Sequence, residues 1–371
     1  MGSLFTQIIA VIILFITGSI YPVVNNYILT HQFPYKNGLT LQFRQPWLQT
    51  FFVCFGMTFF MIPTLIRAKC KANIKADKIS GFNLFRVIIA PSLLTILYVA
   101  LQTYCLMFMP VNIWQIFNEF YLLFNAFFSV TFRGQKLHFT DWTGLFFVVI
   151  GIAFAGVASL MRSISERSAT TTELFFSFIL QILAHCLKGF ASLGEDYMLQ
   201  NSNTVTVTGF EGLWGIYLIA FIFLPFCNIT KSQYVGIHEI TADAVTLFQN
   251  STALIILEIV FICCIAFYRF CSLYLYSLSS FRKTLYESFL PITVWLISYF
   301  THLFTKQENS RKFFDYNSYF EASGLIITLF GSFIYHRIIR LPCFAYSKET
   351  IDNNSSEVQI AAKNYLLQQE I

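Results

Sequence analysis

The sequence predicts an all-α polytopic membrane protein of ten transmembrane helices arranged as two inverted five-helix repeats. Three observations predict it. Of 371 residues, 56% are hydrophobic and only 12% are charged, about half the charged content of a soluble domain. Ten stretches reach the roughly 20 mostly apolar residues that a span requires. Finally, Asp141, Gly144 and Gly151 near the start of one such stretch recur, 180 residues later, as Glu321, Gly324 and Gly331.

The expected spans cover 4–24, 47–66, 84–107, 110–131, 141–161, 174–197, 210–228, 251–275, 280–304 and 317–337. The first, Leu4 to Val24, lacks a basic leader and a small-residue cleavage site, so it reads as a retained span rather than a signal peptide. Spans three and four meet at Pro110 with almost no loop, and spans eight and nine meet in the same way at Ser277 to Ser280. Each half therefore has a tight hairpin between its third and fourth spans. Pro63 near the end of span two is matched by Pro225 near the end of span seven. Five spans per half is an odd number, so the second copy enters the membrane upside down relative to the first. Duplicated halves of this kind are the usual build of secondary transporters, with the site near the midplane. The expected division is 1–161 and 162–340 for the repeats, followed by a polar tail at 341–371.

Gly144 with Gly151, and Gly324 with Gly331, lie seven residues apart and share a helix face, where small residues let backbones approach closely. They are assigned to helix packing. Asp141 and Glu321 are expected to cap helix starts, where a carboxylate meets the favourable end of the dipole.

Topology follows from the 24 Lys and Arg. Eleven fall on the side of the termini, in 67–81, 132–140 and the tail, and eight on the other side. The positive-inside bias puts both termini in the cytosol. Sequons at Asn228 and Asn250 then face the lumen, and those at Asn353 and Asn354 the cytosol. The positive loops are explained by topology, so no nucleic-acid partner is expected; the bilayer and a small-molecule substrate are, and a homodimer stays open. Nine cysteines show no CxxC spacing and the six histidines are scattered. With neither a nucleophile elbow nor a metal signature, no enzyme and no cofactor are expected.

A charge at membrane depth is costly and usually faces the protein interior or a wet cavity. Glu119 lies mid-span four, Lys188 mid-span six, Glu258 and Arg269 in span eight, and Lys283 and Glu287 in span nine. The expected partners are Glu119 or Glu258 for Lys188, and Glu287 for Arg269. Lys188, Lys283 or Arg269 is a candidate anchor for an anionic cargo, and Glu119 or Glu287 a candidate proton carrier. Thr17, Ser19, Gln115, Asn118 and Tyr286 are candidate uncharged lining, together with Tyr21, Asn25, Gln102, Gln181 and Tyr268.

Several motifs together resemble the drug/metabolite transporter superfamily and, within it, the nucleotide-sugar-transporter-like solute carrier 35 family, closest to its F subfamily. They are Thr17-Gly18-Ser19-Ile20, Phe43 with Pro46-Trp47-Leu48-Gln49, Gln115, Gly209-Phe210-Glu211-Gly212-Leu213-Trp214-Gly215, and the run from Lys283 through Glu287 to Trp295. The resemblance spans residues 15 to 337. It implies ten helices in two EamA-like repeats, a central cavity, alternating access, and residence in the Golgi, endoplasmic reticulum or a lysosome-like compartment. Its implied cargo is a nucleotide sugar or related organic anion. A non-transporting receptor or scaffold, and a carrier of an uncharged or cationic solute, are the alternatives. The chain departs from the family pattern at Met57 and Thr95, where relatives are acidic, and at Asn118 and Leu290, where they are basic.

Overall fold

A computed structural model describes residues 2–36, 38–69, 85–134, 136–166, 171–230, 241–305 and 316–339. The chain is almost entirely helical. Helix α1 covers Gly2–Thr30, and a short antiparallel hairpin, β1 (Gln32–Pro34) with β2 (Thr40–Gln42), follows it. Then come α2 (Pro46–Thr58), α3 (Met61–Lys69) and α4 (Ile89–Leu106). Helices α5 (Val111–Phe117), α6 (Phe120–Arg133) and α7 (Phe139–Glu166) complete the first half. The second half holds α8 (Thr171–Asn201), α9 (Thr204–Leu218), a π-helical segment at Ile219–Phe223, and α10 (Leu224–Thr230). It continues with α11 (Thr241–Asn250), α12 (Thr252–Leu278), α13 (Ser280–Glu287), α14 (Leu290–Thr305) and α15 (Tyr316–Tyr335).

Among the described residues, seven helical runs are long and apolar enough to cross a membrane: Leu4–Thr30, Pro46–Ile66, Phe85–Leu106, Phe139–Met161, Thr172–Asn201, Thr204–Cys227 and Thr252–Leu278. The expectation of unbroken spans at 110–131 and 280–304 is corrected. Each is two helices joined by a tightened turn, at Asn118–Glu119 and at Ser288–Phe289. In the first, Glu119 N bonds to Ile116 O, and Tyr121 N to Asn118 O, three residues back instead of four. In the second, Phe289 N bonds to Tyr286 O and Ile292 N to Phe289 O. Pro291 explains the second turn, because it has no N–H to give to the Glu287 carbonyl four residues earlier. A two-stranded hairpin of three residues per strand accompanies the helices, and α11 lies between the expected spans 210–228 and 251–275. The hairpin is tied to α11 by Tyr35, whose hydroxyl donates to Asp243 Oδ1 at 2.7 Å; that bond holds the phenol above its usual pKa.

Helices α7 and α15 approach each other backbone to backbone. A Cβ added to Gly144 would lie 2.8 Å from the Gly331 carbonyl oxygen, and one added to Gly151 would lie 2.7 Å from that of Gly324. The reverse contacts hold, at 2.8 Å for Gly324 against Gly151 O and 2.7 Å for Gly331 against Gly144 O. Contacts descend along one helix as they ascend along the other, so the two run antiparallel. Asp141 also earns the capping role read from sequence. Its Oδ2 accepts from His138 N at 2.9 Å, and the carboxylate pairs with Arg337 of the partner helix's end at 2.9 Å. Glu321 differs: it lies buried in the second turn of α15, past the cap.

Other neighbours follow a pattern. Helix α2 packs on α9 through Gly212, whose added Cβ would meet Thr58 N at 2.7 Å. Helix α1 packs on α12 and α14, while α8 packs on α4 and α6. The tail at 341–371, the sequons at Asn353 and Asn354, and most of the basic segment 67–81 lie outside the described residues.

Candidate functional site

The two tightened turns touch. Ser288 Oγ donates to Glu119 Oε2 at 3.0 Å and itself receives a hydrogen bond from Ser332 Oγ of α15 at 2.8 Å. Beside this contact lies a small cavity with about 20 Å³ of space for the centre of a water molecule, room for one or two waters. Its walls are mostly polar. Five of the ten candidate residues line it: Gln115, Asn118, Glu119, Lys188 and Glu287. Tyr21 and Tyr268 also line it, as do Tyr98, Tyr121, Leu122, Thr284, Ser288 and Leu290.

Lys188 projects from α8 between two aromatic faces, its Nζ 4.3 Å from the Tyr121 ring centroid and 5.3 Å from that of Tyr98. Among the described residues no carboxylate lies within ion-pair distance of it. The expected pairing with Glu119 or Glu258 is therefore corrected; the quadrupoles of the two rings hold the ammonium instead. Glu287 Oε1 accepts from Ser272 Oγ at 2.7 Å and from the Tyr268 hydroxyl at 3.3 Å. Across the cavity Tyr21 and Tyr268 lie with ring centroids 4.9 Å apart.

A polar chain runs from the cavity into the protein. Asn118 Nδ2 donates to Gln115 Oε1 at 3.1 Å, and Gln181 Nε2 donates to Asn118 Oδ1 at 3.3 Å and Gln102 Oε1 at 3.1 Å. Gln102 reaches His185 at 2.9 Å.

The remaining candidates lie elsewhere. Arg269 is bound by Glu195 at 3.3 Å and by Glu211 at 3.6 Å, all three buried. Its expected partner Glu287 is not within ion-pair distance, because α8 and α9 supply two nearer carboxylates. Lys283 stacks over Tyr121 at 5.0 Å and Tyr276 at 4.8 Å, outside the cavity lining. Thr17 spends its hydroxyl on Ile13 O at 2.6 Å. Ser19 bonds to Phe15 O and to Thr293. Tyr286 packs edge-on against Phe15. Glu258 is buried with Gln49, which donates to it at 3.3 Å.

Tyr98, Tyr121, Thr284 and Ser288 line the cavity but are not among the residues expected from sequence. A signal existed. Gln115, Asn118, Glu119 and Leu122 follow helical spacing, and Thr284, Glu287 and Ser288 repeat it in the corresponding span.

Seven apolar helical runs around a buried polar cavity define an integral, multi-pass membrane protein of helical type. Comparison with known proteins relates it to the solute carrier 35 family. It is 21% identical over 267 residues to solute carrier family 35 member F6 of Homo sapiens, covering 69% of this chain and 71% of that protein. The Pongo abelii protein of the same name matches to the same extent. An uncharacterized protein of Schizosaccharomyces pombe is 22% identical over 260 residues, 68% of this chain and 74% of that one. No family model matches. A solved structure described only as "Crystal structure of protein" overlaps 90% of this chain and 98% of its own at 14% identity, with a TM-score of 0.46.

Proposed function

We propose that this chain is a secondary carrier that moves a small polar metabolite across an endomembrane by alternating access. Its two inverted five-helix repeats would be residues 1–161 and 162–340, with both termini cytosolic. The observation that carries the reading is the composition of the cavity wall. Its lining positions form pairs separated by 167 to 170 residues: Tyr21 with Lys188, Tyr98 with Tyr268, Gln115 with Thr284, Asn118 with Glu287, Glu119 with Ser288, and Tyr121 with Leu290. Only Leu122 lacks a counterpart. A cavity walled by equivalent positions of two copies is what a pseudo-two-fold axis through a repeat interface produces.

The packing supports the same axis. Exchanging each helix for its counterpart turns the α1–α12 contact into α8–α4, α1–α14 into α8–α6, and α12–α2 into α4–α9. The α7–α15 contact maps onto itself, with Gly144 against Gly331 and Gly151 against Gly324, as a self-complementary two-fold contact must. Mid-helix turns with three-residue bonding often mark hinges, and here two of them meet at the cavity. The relatives that bear a name are solute carriers rather than enzymes, which favours transport over the receptor or scaffold alternative. Lys188, without an ion pair, supports an anionic group on the cargo.

Purified protein reconstituted in vesicles loaded with a metabolite library tests the reading. Uptake or counterflow of at least one solute is expected. Its absence, with folding and orientation verified, sinks the carrier.

A further inference from the structure

The charges and rings of the cavity differ between its two ends, and that asymmetry bears on the cargo. Resting on the carrier reading above, we propose that the cargo is a small zwitterion, with an ammonium as well as an acidic group, rather than a purely anionic nucleotide sugar.

The argument starts from the paired positions. Tyr21 packs against Tyr268 on one side, ring to ring at 4.9 Å. The equivalent pair on the other side is Lys188 and Tyr98, ammonium to ring at 5.3 Å. One end therefore offers a cation where the other offers a second aromatic face. The lining carries two carboxylates against that single ammonium, Glu119 and Glu287 against Lys188. One oxygen of each carboxylate is engaged, Glu119 Oε2 by Ser288 and Glu287 Oε1 by Ser272 and Tyr268. Their second oxygens are left for the cavity.

Within the lining a purely anionic cargo would meet one attractive charge and two repulsive ones, with the Lys283 ammonium set back behind Tyr121, in a low-dielectric space where each counts more than in water. A zwitterion satisfies all three. Its carboxylate or phosphate meets Lys188; its ammonium meets the carboxylates and the Tyr21 and Tyr268 faces, which attract cations. The cavity, with room for a water or two, fits an amino-acid-sized solute with less widening than a nucleotide would demand.

The test uses the purified full-length chain and three probe panels, read by ligand-induced thermal stabilisation and by vesicle uptake. The zwitterion panel is the proteinogenic amino acids with glycine betaine, the anion panel a set of nucleotide sugars, and the cation panel simple quaternary amines. Stabilisation is expected from members of the zwitterion panel. Lys188→Gln should weaken that binding about 30-fold, and Glu287→Gln by a similar factor. Lys188→Gln should also shift preference toward the amines, and Glu287→Gln toward anions, a reciprocal change that a merely destabilised variant does not give. Stabilisation of the wild type by nucleotide sugars and by no member of the zwitterion panel overturns the inference, as does the absence of a shift from every panel. Uptake of an anion alone overturns the inference and leaves the carrier standing. Zwitterion binding without any flux does the reverse.

Discussion

The α7–α15 pair and the two tightened turns are both places where one half of the chain meets the other, yet they are built from opposite materials. At α7–α15 four glycines strip away side chains, so that backbone lies on backbone. At the turns the Glu119 carboxylate and the Asn118 amide of one meet the Ser288 hydroxyl of the other beside a small cavity. In a bilayer no hydrophobic drive pulls helices together, so close packing of small residues supplies the adhesion and polar contacts are kept for where they are used. The difference teaches a division of labour: one contact fixes how the helices sit, and the other, under the proposed function, is the one that responds to a solute.

The largest expected effect breaks the seam. In Gly151→Leu even the first added carbon lands 2.7 Å from the Gly324 carbonyl oxygen, which forces the two backbones apart along their length. We expect no monodisperse protein on size-exclusion chromatography, a penalty beyond the roughly 3 kcal/mol upper end of ordinary overpacking. Wild-type elution and melting would show that the glycines are not the adhesive.

Next comes Arg269, whose charge is buried between Glu195 and Glu211. Arg269→Ala leaves two carboxylates facing each other without a counter-charge, and the loss should be about 3–5 kcal/mol in the thermal or denaturant midpoint. Arg269 would then count with the seam as architecture. A variant that keeps its stability but loses flux would move it to the site.

Glu119→Gln sharpens the contrast from the other side. It keeps the shape and an oxygen for Ser288, so stability should change by less than about 1 kcal/mol, while solute flux in vesicles falls about 30-fold. The opposite result, normal flux in a destabilised protein, would make the turns structural.

The seam was legible in the sequence and the turns were not, for a physical reason. Gly144, Gly151, Gly324 and Gly331 announce close approach by residue type and by a seven-residue spacing that occurs in both helices. Asn118–Glu119 and Ser288–Phe289 sit inside hydrophobic runs whose composition reads as continuous helix, and only Pro291 betrays one of them. In-span charges were correctly singled out as interior, but pairing them needed three dimensions. Arg269 chose Glu195 and Glu211 from helices 58 and 74 residues away in sequence, and Lys188 chose tyrosine rings instead of a carboxylate. Five of ten candidate residues line the cavity because charged and polar side chains within spans were taken to face the interior. Thr17 and Ser19 failed because a serine or threonine in an apolar helix can satisfy itself on the carbonyl four residues back.

The smallest expected effect falls on the one side chain that joins the two regions. Ser332 belongs to α15, one residue beyond the seam glycine Gly331, yet its hydroxyl donates to Ser288 and so reaches Glu119 through a single intermediary. Ser332→Ala removes one interhelical hydrogen bond, worth about 0.6 kcal/mol in a membrane protein, and leaves the glycine contacts untouched. A small drop in melting temperature is expected, with little change in resting fold. Its value lies in combination with Glu119→Gln. If seam and site were independent, the two effects on flux would add as logarithms. The hydroxyl relay predicts that they do not: once Glu119 is neutral, Ser288 has less to orient toward, and loss of Ser332 should cost less than it does in the wild type. Strict additivity would mean that the seam only holds the halves together and takes no part in what the turns do.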